Sequence, residues 1–124
     1  MQVWAKNPIS HYEPTVVELL GIIEQQTFAG RPGYESIKNG DEIEHSWFLR
    51  LDKPIDVEVS KNNRDGNAEV ERNVKVIQLA SYSKKIKSSL SKSVFKKVVL
   101  KGHFFHAFSA HHHARVLMLI ESIR

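Results

Sequence analysis

Five of the seven histidines fall between His103 and His113, in the run HFFHAFSAHHH. Imidazole is the commonest metal ligand, so the run suggests a site for zinc, nickel or copper. Strand geometry divides it. His103 and His106 are three residues apart and point to opposite faces, His106 with Leu100 and Phe104, His103 with Lys101. In the turn that follows, His111 and His113 project together and His112 away. The metal reading therefore rests on His106, His111 and His113, with no carboxylate close by in sequence to serve as ligand or support. The competing reading is that these histidines hydrogen-bond within a hairpin turn.

A second constellation, Asp41, Glu42, Glu44 and His45, has the residue types for acid–base work. Loop acids beside a glycine such as Gly40 more often form turns and face solvent. There is no P-loop, no G-x-S-x-G elbow, no H-E-x-x-H helix and no dinucleotide fingerprint. The chain is expected to be no enzyme, with no catalytic residues and no cofactor. A third set suits nucleic acid: Lys75, Lys97, Lys101 and Arg115 as phosphate contacts, Phe105, Tyr82, Phe48 and Trp47 as stacking platforms.

The elements that must position these residues follow from periodicity. Val16–Glu24 is apolar and β-branched, with Gly21 in its middle. Thr27–Ser46 reads as a long loop with one helical turn at Tyr34–Ile37. Trp47–Ile55 alternates as a half-buried strand that Pro54 should end or confine to an edge. Ser60–Asn73 is a polar loop, and Val74–Leu79 a third strand. Tyr82, Ile86, Leu90 and Val94 recur every four residues, which predicts a helix capped by Ser81 or Ser83. Lys97–Phe108 and Arg115–Ile123 complete the set. Three strands, one helix and two strands make a mostly β chain. Their order predicts a single five-stranded OB-like barrel over residues 1–124, its helix between strands three and four, with residues 1–13 as an extension. Gly21 and Gly102 would serve its bends.

With 124 residues, 41% of them apolar and 26% charged, the chain can build one core. No apolar run nears the ~18–20 residues of a membrane span. The opening MQVWAKNPIS carries no signal-type apolar stretch. The absence of cysteine excludes disulfides and thiolate metal sites. Charge is uneven: residues 1–71 carry 7 Lys/Arg against 13 Asp/Glu, residues 72–124 carry 11 against 1. That split suggests an anionic partner for one face, or two halves that neutralise each other.

Tyr12-Glu13-Pro14, Leu20-Gly21, the stretch Phe28–Ile37, Gly40-Asp41, Trp47–Ile55, Val76–Leu79, Gly102–Ala107 and His111–His113 together resemble a bacterial family known as a domain of unknown function, typically of small exported proteins. The family's cysteines before Tyr-Glu-Pro and after Pro-Ile are missing here, where Ser10 or His11 and Asp56 stand. Its Thr-Gly before the histidines is Ser109-Ala110, and its Thr-Pro after them is Ala114-Arg115. The resemblance implies an exported or periplasmic setting and no assigned activity.

The preferred functional reading is a non-catalytic module for a protein partner, of inhibitor or immunity type, as a monomer or small homo-oligomer. Loops beyond ~12–15 residues are usually functional or disordered. The long one here supplies Arg31 and Tyr34, types enriched at interface hot spots, and the acids Glu35, Asp41, Glu42 and Glu44 for complementarity to a basic surface. The alternatives are that Tyr34 and Ile37 merely plug the barrel end, that the protein binds single-stranded nucleic acid, or that the histidines hold a metal.

Overall fold

The computed structural model describes residues 6–124. Its elements are β1 (Ile9–His11), β2 (Val17–Ala29), β3 (Ile43–Glu58), β4 (Glu71–Ala80), α1 (Lys84–Lys92), β5 (Lys97–His106) and β6 (Val116–Ile123). β2 pairs antiparallel with β3 and β5, β3 with β4, and β5 with β6, while β4 and β6 run parallel. These pairings return on themselves and close a five-stranded barrel in the order β2-β3-β4-β6-β5. That order, with a helix after the third barrel strand, is the OB-fold Greek key. In chain order the helix lies between strands four and five rather than three and four. The extra strand is β1, which pairs parallel with β3 from Ile9↔Asp56 to His11↔Glu58. A three-residue strand has no periodicity to read.

The core fills the barrel with Ile23, Leu49, Val57, Ile77, Leu100, Phe104 and Met118 among others. Leu90 reaches it from α1, and Ile86 and Val94 pack on its margin. Ser83 caps the helix by accepting the Ile86 N–H, so the helix begins after Tyr82, which is 92% exposed. Gly21 and Gly102 mark close strand approaches. A Cβ on Gly21 would meet the Arg50 carbonyl, and one on Gly102 the Leu119 carbonyl.

Two boundaries differ from expectation in ways that shape the surface. β2 and β3 continue as a hairpin through Gln25↔Trp47 and Phe28↔Glu44, so the long loop shortens to residues 30–42. Pro54 does not end β3, but it lies where neither side is paired: the β2 ladder stops at Leu51 and the β1 ladder starts at Asp56. The ladder to β4 shifts register between Arg50 and Ile55, and this irregularity accommodates a residue without an N–H. Among the described residues no helix is long and apolar enough to cross a membrane.

Candidate functional site

The 30–42 loop is organised around one carboxylate. Asp41 accepts the backbone N–H groups of Gly33 (2.8 Å), Glu35 (2.8 Å) and Ser36 (2.9 Å). These bonds favour the ionised form and hold the Asp41 carboxyl below the usual carboxylate range. Backbone bonds from Gly30 to Glu42 and from Glu42 to Arg31 close the loop's base. The result throws Tyr34 into the left-handed region at φ 55°, a conformation a bulky side chain adopts only where its surroundings fix it. What fixes it is the other loop. The Tyr34 ring meets His111 edge-on with centroids 5.2 Å apart, and its hydroxyl lies 3.1 Å from Nε2. His111 Nδ1 lies 3.0 Å from Glu44 Oε1. A carboxylate only accepts, so Nδ1–H donates to Glu44, and in the neutral imidazole Nε2 accepts from the phenol.

The histidine loop, residues 107–115, is itself folded onto the barrel's outer face. Gln78, buried on β4, clamps it. Its Nε2 donates to the His111 carbonyl (2.9 Å), and its Oε1 accepts from the N–H groups of His113 (2.6 Å) and Ala114 (3.3 Å). His113 stacks flat on Phe28 at 3.6 Å, and its Nε2 is 3.9 Å from Glu44 Oε1. Phe108 N–H donates to His112 Nδ1 (3.0 Å), which leaves Nε2 to carry that ring's proton. Burial, then the neighbouring His111 and His113, push the His112 pKa down.

His106 belongs to a separate cluster. Its Nε2 lies 2.7 Å from Glu71 Oε2 and its Nδ1 3.2 Å from the Ala107 carbonyl oxygen. Both partners accept, so the imidazolium donates twice. Burial alone would lower the His106 pKa, but Glu71 and the carbonyl outweigh it and raise it. Arg115 shares Glu71 at 3.4 Å. Tyr12, fully buried beneath, donates to the Glu69 carbonyl (2.6 Å), and burial with the nearby acids drives its phenol pKa well up. The donor atoms of Glu69, Glu71 and His106 all lie within 4.8 Å of one another.

Two grooves flank these clusters. One, of about 1010 Å³, is lined by Tyr82, Phe105, Phe108, His112 and Leu119 on one side and by the 62–67 loop on the other. The second, of about 470 Å³, lies between β4 and the end of the histidine loop. It is lined by Arg72, Lys75, Arg115 and His113 with Phe28 and Phe48.

Residues 76–124 match the family model described as Domain of unknown function (DUF4431). The chain is similar to that family over β4 from Val76 onward, the helix, β5, the histidine loop and β6. No curated protein and no solved structure matches the chain. The segments Val76–Leu79, Gly102–Ala107 and His111–His113 fall within the match, and those from Tyr12 to Ile55 lie outside it.

The residues singled out from sequence are partly brought together. Of the partner set, Tyr34, Asp41 and Glu44 form one connected loop structure. Arg31 faces Glu42 at 3.7 Å in solvent, and Glu35 is exposed. Tyr34 does not plug the barrel, and Ile37 is 41% exposed. Of the nucleic-acid set, Lys75 and Arg115 share the smaller groove, Phe105 lines the larger, Lys97 pairs with Asp52 at 3.0 Å, and Lys101 lies opposite Glu18. Of the metal set, His106 stands with Glu71, while His111 and His113 stand with Glu44. Carboxylates do support these histidines, contrary to the sequence reading, because they arrive from 35 and 67 residues away. Gln78 was missed, and its only signal was a polar residue inside the apolar run Val76–Leu79.

Proposed function

We propose that this chain is a non-catalytic binding module that docks a protein partner, of inhibitor or immunity type, through the surface formed by the 30–44 and 109–113 segments. The family resemblance suggests an exported setting for it. The observation that carries the reading is the Tyr34–His111–Glu44 connection, which joins two loops into one pre-ordered surface. A surface ordered before binding loses less freedom when a partner arrives, so more of the contact energy appears as affinity. Its exposed Arg31, Glu35 and Glu42 supply mixed charge at the rim, where charges set specificity and on-rate more than strength. Neither groove is lined by Tyr34 or His111, which suits a contact surface better than a reaction chamber.

A second reading, single-stranded nucleic acid, would use Arg72, Lys75 and Arg115 of the smaller groove as phosphate contacts, while its Phe28 is covered by His113 and its Phe48 is buried, so neither offers a base an open face. One experiment separates the two. The immobilised protein is challenged with bacterial envelope extract and washed at low and high salt. The protein-partner reading expects one stoichiometric partner, lost on Tyr34→Ala with Arg31→Ala while circular dichroism is unchanged. Capture unaffected by both substitutions overturns it. Recovery of nucleic acid alone, released steeply by salt as counterion exchange requires, also overturns it and moves the site to the smaller groove.

A further inference from the structure

The groups around His106 converge in a way that suits a metal ion as well as a proton. Ala107 sets the orientation of the imidazole. Its carbonyl oxygen, 3.2 Å from Nδ1, takes the proton on that nitrogen and turns Nε2 toward Glu71 Oε2 at 2.7 Å. A carbonyl on one ring nitrogen is the usual support for a histidine that ligates through the other. Glu69 lies two residues before Glu71, on the approach to β4, and an extended chain sets side chains two apart on one side. Tyr12 pins that approach from beneath, because its hydroxyl donates to the Glu69 carbonyl at 2.6 Å.

Distance and charge then decide what fits. Bonds of ~2.0–2.2 Å at tetrahedral angles place donor atoms ~3.3 Å apart. The cluster brackets that value, with 2.7 Å between His106 and Glu71 and all three donors within 4.8 Å. Rotation of the exposed Glu69 side chain closes the set while β4 and β5 stay in place. Two carboxylates and a neutral imidazole carry two negative charges, which a divalent ion cancels. Glu71, Glu69 and Asp65 together make the surroundings of the Tyr12 phenol negative. Arg115 meets Glu71 at Oε1, 3.4 Å away, and its side chain is 82% exposed and free to swing into solvent. Glu71 and His106 are mostly buried and Glu69 is exposed, so an ion can arrive from the solvent side onto a sheltered pair.

We propose that Glu69, Glu71 and His106 bind a divalent first-row transition ion of the zinc class, with water completing its shell. The imidazole favours such an ion over calcium or magnesium, which take oxygen ligands, and the absence of cysteine disfavours copper(I). On binding, the Nε2 lone pair bonds the ion and its proton leaves to solvent, while Nδ1–H keeps its bond to Ala107. His111 and His113 take no part, since they stand with Glu44. The site is therefore separate from the loop surface described above.

The test is a calorimetric titration of the chelator-stripped protein with zinc chloride, with imidazole proton shifts to locate the ion. Saturable binding that moves the His106 resonances is expected. Glu69→Gln should weaken it about tenfold or more, since losing even a supporting partner of a ligand costs that much. Glu69 is exposed, so this variant keeps the fold. His111→Ala with His113→Ala should leave the His106 response unchanged, and an equal concentration of magnesium chloride should not displace the zinc. The proposal is overturned by absence of saturation at ~0.1 mM zinc, by unchanged affinity in Glu69→Gln, by loss of the ion in the double histidine variant, or by displacement by magnesium. Arg31→Ala with Tyr34→Ala should bind zinc as the wild type does, so failure here and failure of the loop surface are told apart.

Discussion

His106 shows how one side chain's environment becomes a property that can be measured. Its imidazolium donates to Glu71 and to the Ala107 carbonyl, and these partners raise its pKa against the opposing effect of burial. A raised folded pKa means that the native state holds the proton more tightly than the unfolded chain does. The stabilisation is therefore complete below the unfolded value of ~6.5 and is lost as pH rises through the folded value. Melting temperature should fall across that interval. Glu71→Gln removes the carboxylate but leaves the burial, so the His106 midpoint should fall and the loss of stability with rising pH should shrink. At pH 6 the substitution should cost about 1–2 kcal/mol, as for a charge-assisted hydrogen bond. Imidazole proton shifts followed against pH, with thermal melts at the same points, check both. An unmoved midpoint in the variant would show that Glu71 does not hold the proton. The sequence placed His106 on the inward face beside Phe104, because strand parity is local. It could not supply Glu71, because that contact depends on how β4 and β5 close the barrel.

At the scale of elements, much was legible wherever a pattern repeats. The alternation around Leu49 and Leu51 marks β3, and the four-residue spacing of Ile86 and Leu90 marks α1. Where the pattern stops, the reading stopped too. Gln25 and Gln26 lie past the apolar run and Thr27 opens the expected loop, yet they pair with Trp47, Ser46 and His45 because the hairpin extends beyond the buried barrel. Tyr82 has helical spacing but lies outside the Ser83 cap. The two mid-strand glycines were legible for a physical reason. Small barrels bring strands too close for a Cβ at their sharpest bends. Gly102→Ala would drive a methyl into the Leu119 carbonyl and should destabilise by roughly 1–3 kcal/mol, as overpacking does. Gly66→Ala is the control, since nothing lies within 4 Å of its added carbon. Urea titration should show a lower midpoint at unchanged slope for the first and little change for the second. Equal midpoints would mean that β5 and β6 part there without penalty.

Across the whole molecule, the fold cancels part of the charge split of the sequence. Arg72 pairs with Asp56 and Glu58, Lys97 with Asp52, Arg115 with Glu71 and Arg124 with Glu18, each joining the basic half to the acidic one. Exposed pairs of this kind contribute little to stability, and they leave the helix lysines Lys84, Lys85, Lys87 and Lys92 outside any of these pairs. What joins distant parts of the chain more firmly is the path from Gln78 through the histidine loop to Tyr34. Gln78 holds three backbone groups of residues 111–114, and His111 in turn holds Tyr34 and Glu44. Gln78→Leu keeps the volume and removes all three bonds. The loss should cost about 1–3 kcal/mol, moderated by whatever water reaches the freed groups. Amide exchange should then quicken at 111–114 and also at Gly33, Tyr34 and Glu35, which Gln78 does not touch. Tyr34→Phe cuts the path at its far end, so it should quicken exchange around residue 34 and leave His113 and Ala114 protected. If the 33–36 amides exchange at the wild-type rate in Gln78→Leu, the two loops are independent. The pre-ordered surface would then reduce to Asp41 and its three N–H groups.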